Sequence, residues 1–359
     1  MRVAICWHSI SGYMAACWRA LAATPGVDLL VVTQKPDAKG ATPFDTALVA
    51  GVRTALVDPD KLNDPEGVHQ IVADFKPDVV VINGWFVPAY TRLASSPRLS
   101  GARFIMPIDR PRVHPLKDWI NKLRYRRLIS RMDVMFVTGE RCWAFARFLG
   151  VPESRIRRGT YGVDAQGLAP LLARRAARPQ GWPRSFVFMG RYAPEKGLDV
   201  LVEAYKGYRA AVSDPWPLIT CGRGDQASLL KGVPGIEDRG FVQPADQAAL
   251  LAEQGVFVMA SRFDPWPLVI VEACAAGLPV VCSNACGSAV EVVRSYDNGI
   301  QVATGDAPPL TRAMIWMHQN HSRLPQMGAR SQSLGAAYSA QLWAVRYHEA
   351  FRDLLATPA

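Results

Sequence analysis

Four charged side chains in two short segments have the types and spacing to handle an anionic, hydroxyl-rich ligand. In Met189-Gly190-Arg191-Tyr192-Ala193-Pro194-Glu195-Lys196-Gly197-Leu198, two cations stand five residues apart, between a strand ending at Gly190 and a helix beginning near Gly197. The first turn of a helix presents unpaired N–H groups and the positive end of its dipole, so an anion is favoured there. Arg191 and Lys196 add charge-assisted hydrogen bonds of the kind that hold phosphate oxygens. Taken alone, the segment reads equally well as a loop with surface charges.

The second segment is Ser261-Arg262-Phe263-Asp264-Pro265-Trp266-Pro267-Leu268-Val269-Ile270-Val271-Glu272. Asp264 precedes a helix start. Glu272, eight residues later, lies inside that helix beside Ala273, Ala275, Ala276 and Gly277. Small neighbours allow close approach of a ligand, and a carboxylate can grip two adjacent hydroxyls. A helix cap at Asp264 and an exposed Glu272 would be the plainer explanation. It fits less well, because a carboxylate within an apolar helix needs a partner.

These residues need a scaffold that brings distant loops to one edge, and the hydrophobic pattern supplies it. Short β-branched runs at 3–7, 28–33, 78–82, 103–108 and 133–138 alternate with helical periodicity, beginning with a helix over 13–23. After an Ala-, Arg- and Pro-rich stretch the pattern restarts. It gives strands at 185–189, 217–221, 256–260 and 279–282, and helices at 198–208, 269–276 and 337–356. Continuous apolar runs belong to parallel strands covered on both faces, so the class is α/β with two Rossmann-like halves.

Composition agrees with this and excludes other classes. The chain has 359 residues, 49% apolar and 20% charged, too apolar for disorder. No apolar stretch reaches the roughly 18 residues of a spanning helix. Seven cysteines, mostly in apolar runs, read as small buried thiols in a reducing compartment. The start of the chain has no secretory h-region, so a cytoplasmic protein is expected, with peripheral attachment to the inner membrane as an option.

The order and spacing of the two charged segments, with Cys221-Gly222-Arg223-Gly224 between them, resemble the C-terminal domain of glycosyltransferase family 4, the retaining GT-B enzymes. The resemblance runs from about residue 186 to 305. It continues more weakly through the N-terminal half, including Tyr161-Gly162-Val163-Asp164.

The resemblance implies a GT-B fold whose two Rossmann-like domains face an interdomain cleft. The domains would be an acceptor domain at 1–165, a linker at 166–183, a donor domain at 184–335, and a terminal helix at 336–359 crossing back to the first. The implied reaction moves a sugar, with retention, from a nucleotide-diphosphate sugar to a glycan or lipid-linked acceptor in envelope or exopolysaccharide synthesis. Arg191 and Lys196 would bind the diphosphate and stabilise it as leaving group, and Glu272 would hold the ribose. Gly190, Gly222 and Gly224 would shape the donor loops, with Gly240-Phe241-Val242 against the base. Backbone amides around Trp266, Leu268 and Val269 would line the sugar and phosphate site. Asp264 stands where the family has the first Glu of its Glu-x7-Glu motif, and Trp266-Pro267 replaces Phe-Gly, removing one N–H donor.

In the N-terminal half, the resemblance gives Gly12 a place near the donor phosphates and makes Asp109 a substitute for the family's histidine, with His114 and His8 as further candidates. Asp58-Pro59-Asp60 is formally Asp-x-Asp but reads as a turn and helix cap. With two cations available for the diphosphate, no metal or other cofactor is expected. Rival readings are a GT-B nucleotide-sugar epimerase, a soluble transferase with a small acceptor, and an inactive sugar-nucleotide binding module. The intact Arg191, Lys196 and Glu272 speak against the last.

One feature falls outside this pattern. Residues 98–158 hold 15 Lys+Arg against 5 Asp+Glu, which accounts for the whole formal net charge of +10. Within it, 117–131 has helical spacing, with Trp119, Ile120, Leu123 and Leu128 broadly to one side and Lys117, Lys122, Arg124, Arg126 and Arg127 around the rest. Such a helix suits an acceptor or an anionic membrane surface, or else packs on the core with a solvated basic face. Nucleic acid is not expected, since no reading motif accompanies the charge.

Overall fold

The computed structural model describes every residue except 38, 39, 41 and 357–359. The chain forms two compact α/β units, one of Met1–Pro36, Phe44–Gly162 and the stretch from Ala340, the other of Val163–Ser339 with the described residues between 37 and 43.

In chain order the first unit contains β1 (Arg2–Ser9), α1 (Gly12–Ala22), β2 (Asp28–Gln34), β3 (Thr54–Val57), α2 (Pro65–Phe75), β4 (Val79–Ile82) and α3 (Pro88–Leu93). It continues through β5 (Arg103–Ile108), α4 (Pro115–Arg124), α5 (Arg126–Arg131), β6 (Val134–Val137), α6 (Glu140–Leu149) and β7 (Ile156–Arg158). Its seven strands are all parallel, in the order β3-β2-β1-β4-β5-β6-β7. The all-apolar β4 is wholly buried, as a central parallel strand between two helical layers must be. Local signals set the helix ends. Ser11 caps α1 by accepting from the Met14 N–H at 3.4 Å, and Asp64 caps α2 through the Glu66 N–H at 3.1 Å.

The second unit contains α7 (Ala165–Leu168), α8 (Pro170–Ala176), β8 (Phe186–Met189), α9 (Leu198–Ala211), β9 (Leu218–Cys221), β10 (Ile236–Asp238), α10 (Pro244–Ala252) and β11 (Val256–Met259). Then come α11 (Leu268–Ala275), β12 (Val280–Ser283), α12 (Ala289–Val292), β13 (Gly299–Val302), α13 (Ala307–Gln319) and α14 (Leu324–Gly335). The six strands are parallel in the order β10-β9-β8-β11-β12-β13. The last helix, α15 (Ala340–Ala356), belongs to the first unit. Its Tyr347 ring stacks on Phe136 at 4.0 Å, and the Trp343 indole donates to the Thr160 carbonyl at 2.9 Å.

The stretch at 166–183 expected as a linker is instead folded into the second unit. Its composition concealed Arg175, whose guanidinium is fully buried and donates to the carbonyls of Leu251, Gln254, Ala276 and Gly277 at 2.8–3.1 Å. The basic stretch at 117–131 is not one helix. It breaks at Tyr125 into α4 and α5, and Leu128 packs inward on the core of the first unit.

Candidate functional site

In an open parallel sheet, ligands collect beyond the carboxyl ends of the strands where the strand order reverses, because two neighbouring loops part there to opposite faces. In the second unit that reversal falls between β8 and β11. The loop after β8 carries Arg191 and Lys196, and the loop after β11 carries Asp264.

These loops are held to one another by backbone. Gly190 donates to the Cys221 carbonyl at 2.9 Å, Tyr192 to Arg223 at 2.7 Å and Gly222 to Gly240 at 2.8 Å, joining the loops after β8, β9 and β10. The N–H groups of Arg262 and Phe263 donate to the Glu195 carbonyl at 2.8 and 3.2 Å, joining the loop after β11. The approach is so close that a Cβ on Gly222 would stand 1.9 Å from the Gly190 oxygen, and one on Gly197 2.2 Å from the Ala260 oxygen. Gly197 also adopts φ +65°, which glycine alone takes readily. A Cβ on Gly190, by contrast, would make only ordinary contact, 3.4 Å from the Phe188 ring.

The Lys196 ammonium and Asp264 carboxylate form an ion pair, with side chains only 14% and 9% exposed. Arg191 is more open and pairs with Glu195 at 2.6 Å. Beside them, Arg262 grips both oxygens of Asp199 at 2.6 Å, fastening the loop after β11 to the first turn of α9. That contact holds the Asp199 carboxyl below its usual value, against a smaller opposing effect of burial.

Downstream of Asp264, Pro267 begins α11 without a side-chain cap, so the N–H groups of Leu268 and Val269 lie at a bare helix start. Trp266 is buried, its ring 6.0 Å from that of Tyr338. Glu272, one turn into α11, is half-buried and accepts a hydrogen bond from the Gln247 amide of α10 at 2.9 Å. Burial pushes its carboxyl up, the Gln247 contact partly offsets this, and the charge of Asp164 adds to the rise. On the other side, Asp238 accepts from the Tyr192 hydroxyl at 2.7 Å and the Gly240 N–H at 2.9 Å, which fixes the turn that presents Phe241. Gly224, at φ +149°, closes on Tyr192, where a Cβ would lie 2.4 Å from the carbonyl oxygen.

Lys196, Asp264, Arg191, Glu272, Phe241 and the three loop glycines therefore share the carboxyl edge of one sheet. Gln247, Glu195 and the Asp199–Arg262 clasp escaped the sequence reading. Their partners stand 25 to 63 positions away for Gln247 and Arg262, beyond any local pattern.

The N-terminal candidates all lie in the first unit. Gly12 is the first residue of α1, next to its Ser11 cap. Asp109 follows β5 and accepts from the Tyr161 hydroxyl at 2.7 Å. Burial, and then the Asp109 charge, push that phenol well above its ordinary value. His8 is exposed at the end of β1, its ring 5.5 Å from Phe86, and partial desolvation lowers its pKa. His114 precedes α4 and donates its backbone N–H to Asp118. Asp58 of the Asp-x-Asp run is ion-paired with Lys35 at 2.7 Å, and Asp60 lies in a short 3-10 turn. Among the described residues, no group of three or more His, Cys, Asp or Glu side chains is placed to hold a metal ion.

Comparison with known proteins covers both units. Residues 10–162 match the glycosyl transferase 4-like domain, and residues 183–320 match the glycosyl transferases group 1 model. A phosphatidyl-myo-inositol mannosyltransferase of Mycobacterium leprae is 33% identical over 167 residues, covering 44% of this chain and 42% of that protein. A GDP-mannose-dependent alpha-mannosyltransferase of Mycobacterium tuberculosis is 32% identical over 198 residues, covering 53% of this chain and 49% of that one. The chain thus spans about half the length of these curated relatives. Among solved structures, sucrose-phosphate synthase from Thermosynechococcus elongatus superposes with a TM-score of 0.76 at 18% identity, over 99% of both chains. The Anabaena protein HepE, in complex with UDP and glucose, gives 0.73 at 16% identity over 98% of this chain and 100% of that one.

Proposed function

The chain belongs to the GT-B glycosyltransferases of family 4, and from that premise we propose that it transfers a sugar, with retention, from a nucleotide-diphosphate sugar to a glycan or lipid-linked acceptor. The observation that carries this reading is the Lys196–Asp264 pair at the strand-order reversal, beside the bare start of α11.

Three positive features converge on one edge there: the Lys196 ammonium, the Arg191 guanidinium and the N-terminal dipole of α11. A diphosphate gains negative charge as its bond to the sugar loosens, so preorganised positive groups stabilise the transition state more than the ground state. An ammonium has three N–H donors. Lys196 can therefore keep Asp264 as one partner and turn another N–H to a phosphate oxygen. Held in this way, Asp264 presents its remaining lone pairs to hydroxyls of the transferred sugar. Its side chain is one methylene shorter than the glutamate of the family motif, which draws the sugar closer to Lys196. Glu272 takes the ribose hydroxyls, and Phe241 lies against the base.

Asp264 is neutralised by Lys196 and so is a poor nucleophile. Retention then favours same-face displacement, in which the glycosyl–phosphate bond opens toward an oxocarbenium-like state and a donor phosphate oxygen takes the acceptor's proton. The charge of the leaving group is met by protein cations, and no metal is required by this scheme. In the first unit, Asp109 remains a candidate for a hydroxyl contact, and the Tyr161 hydroxyl sets its orientation.

The test is a thermal-shift screen against UDP-, GDP-, ADP- and dTDP-sugars, since a ligand that binds the folded state raises Tm. It is followed by transfer assays with the sugar that shifts Tm most. A shift present in wild type and lost in Lys196→Ala supports the assignment. Epimerised donor without transfer would support an epimerase, and donor binding without either reaction an inactive binding module.

A further inference from the structure

Helix α4 is built inside out. Its protein-facing side carries a charge: Asp118 is fully buried, ion-paired with Arg110 at 2.5 Å and accepting the backbone N–H groups of Val113 and His114 at 3.1 and 2.9 Å. The opposite side carries Leu116, Trp119, Ile120 and Leu123, at the i, i+3, i+4, i+7 spacing of one helical stripe. All four are open to solvent, at 82%, 50%, 63% and 65% exposure. At 100° per residue their mean direction lies roughly 150° from Asp118, so the same contacts that seat the helix aim the stripe outward.

Cations border this ridge on both edges. Lys117 and Arg124 lie along one side and Lys122 along the other, and Arg126 and Arg127 follow on α5. Residues 110–131 hold eight Lys+Arg and a single acid, the buried Asp118. The Trp119 ring meets Phe148 edge-on at 5.6 Å, and the Lys122 ammonium lies 5.2 Å from the centre of the Trp119 ring. These two contacts fix the position of the half-exposed indole. A contiguous apolar ridge of this kind is rare on a surface meant only for water.

We propose that α4 is a docking helix that lies along an anionic lipid bilayer, sinking Leu116, Trp119, Ile120 and Leu123 to the level of the acyl chains while the surrounding Lys and Arg side chains meet the headgroup phosphates. The charge argues for this occupant over a second copy of the chain. Two such ridges facing each other would bring two rings of cations together with no acid to neutralise them. An apolar ridge flanked by cations, with tryptophan at its edge, matches the depth profile of a bilayer interface. A phosphate backbone would be met by the cations alone and would leave the ridge in water. Among the described residues no helix is long and apolar enough to cross a membrane, so any attachment through this helix is at the surface. The inference stands on α4 and α5 and does not depend on the donor reading.

The experiment is co-sedimentation of the full chain with vesicles of 1:1 phosphatidylglycerol and phosphatidylcholine, or of phosphatidylcholine alone. Wild type is expected to partition at least about tenfold more strongly to the anionic vesicles, falling as salt rises. Ile120→Ser with Leu123→Ser removes apolar contact without touching charge and lowers partitioning about tenfold. Lys122→Gln, Arg124→Gln, Arg126→Gln and Arg127→Gln together abolish the preference for anionic lipid. Ile120, Leu123, Arg124, Arg126 and Arg127 are exposed and Lys122 is half-buried beside the Trp119 ring, so the double variant keeps the wild-type Tm, the charge variant loses at most a few degrees, and both keep the donor-induced thermal shift. Equal binding by wild type and the apolar double variant would overturn the proposal. So would a dimer that the double variant dissociates, or duplex RNA binding that it leaves intact, since these give the ridge or the cations a different partner.

Discussion

Lys196 and Asp264 stand 68 residues apart in the chain and meet as a nearly enclosed ion pair where the second sheet reverses its strand order. Lys196→Ala therefore acts twice. It removes the positive group proposed to face the leaving diphosphate, which lowers kcat/KM by about 10²–10³-fold. It also strands a buried carboxylate, which lowers stability by about 3 kcal/mol. Adding Asp264→Ala restores much of the Tm and none of the activity. Denaturation and transfer assays on the three variants separate the two effects, and a Lys196→Ala enzyme at wild-type rate would remove the lysine from the mechanism.

Glycines of one loop set differ in what they require. A Cβ on Gly222 collides with the Gly190 carbonyl, whereas one on Gly190 only touches the Phe188 ring. Gly222→Ala must push apart the loops after β8 and β9, so it lowers Tm by several degrees and abolishes the donor-induced shift. Gly190→Ala stays within about 0.5 kcal/mol of wild type. A Gly222→Ala protein that folded and bound donor normally would show that these loops are not clamped.

The same physics explains what was legible in the sequence. The strands read from it are the interior ones, because a strand covered on both faces must be a continuous apolar run. β3, β7, β10 and β13 went unread, and each is an edge strand, short and partly open to solvent. Arg191, Lys196, Asp264 and Glu272 stand out in the sequence because charged types recur at short spacing around helix starts, and the structure sets them at one sheet edge. Gln247 and the buried Arg175 were not, since each partner lies on another element and leaves no periodic trace. In the basic stretch, residue types showed an amphipathic helix but could not show which face turns inward. Buried Asp118 decides that.

Arg175 tests whether the stretch from 166 to 183 is structural. Its planar fork reaches four carbonyls, an array that the single ammonium of lysine cannot reproduce. Arg175→Lys leaves carbonyls unpaired in the interior, and chemical denaturation should report a loss of about 2–4 kcal/mol. Activity per folded molecule stays at the wild-type level, because none of these contacts reaches the loops that carry Lys196 and Asp264. Unchanged stability would show that the segment is a spacer after all.

Glu272 links the proposed ribose contact to a pH signature. Burial raises its carboxyl above the ordinary value, with Gln247 opposing and Asp164 reinforcing. The fold thus favours the protonated acid. That contribution is fully present below the unfolded pKa, near 4.3, and is lost as pH rises through the folded value. Glutamine is neutral at every pH. Glu272→Gln should accordingly match wild-type Tm below about pH 4 and exceed it at pH 7. An ionisable group kept at this position despite the burial penalty makes sense if a ligand uses it. The same variant gives up a charged acceptor for the ribose hydroxyls, worth about 1.5 kcal/mol, so donor KM rises roughly tenfold. A higher Tm at pH 7 with unaltered donor KM would separate burial from binding and take Glu272 out of the donor site.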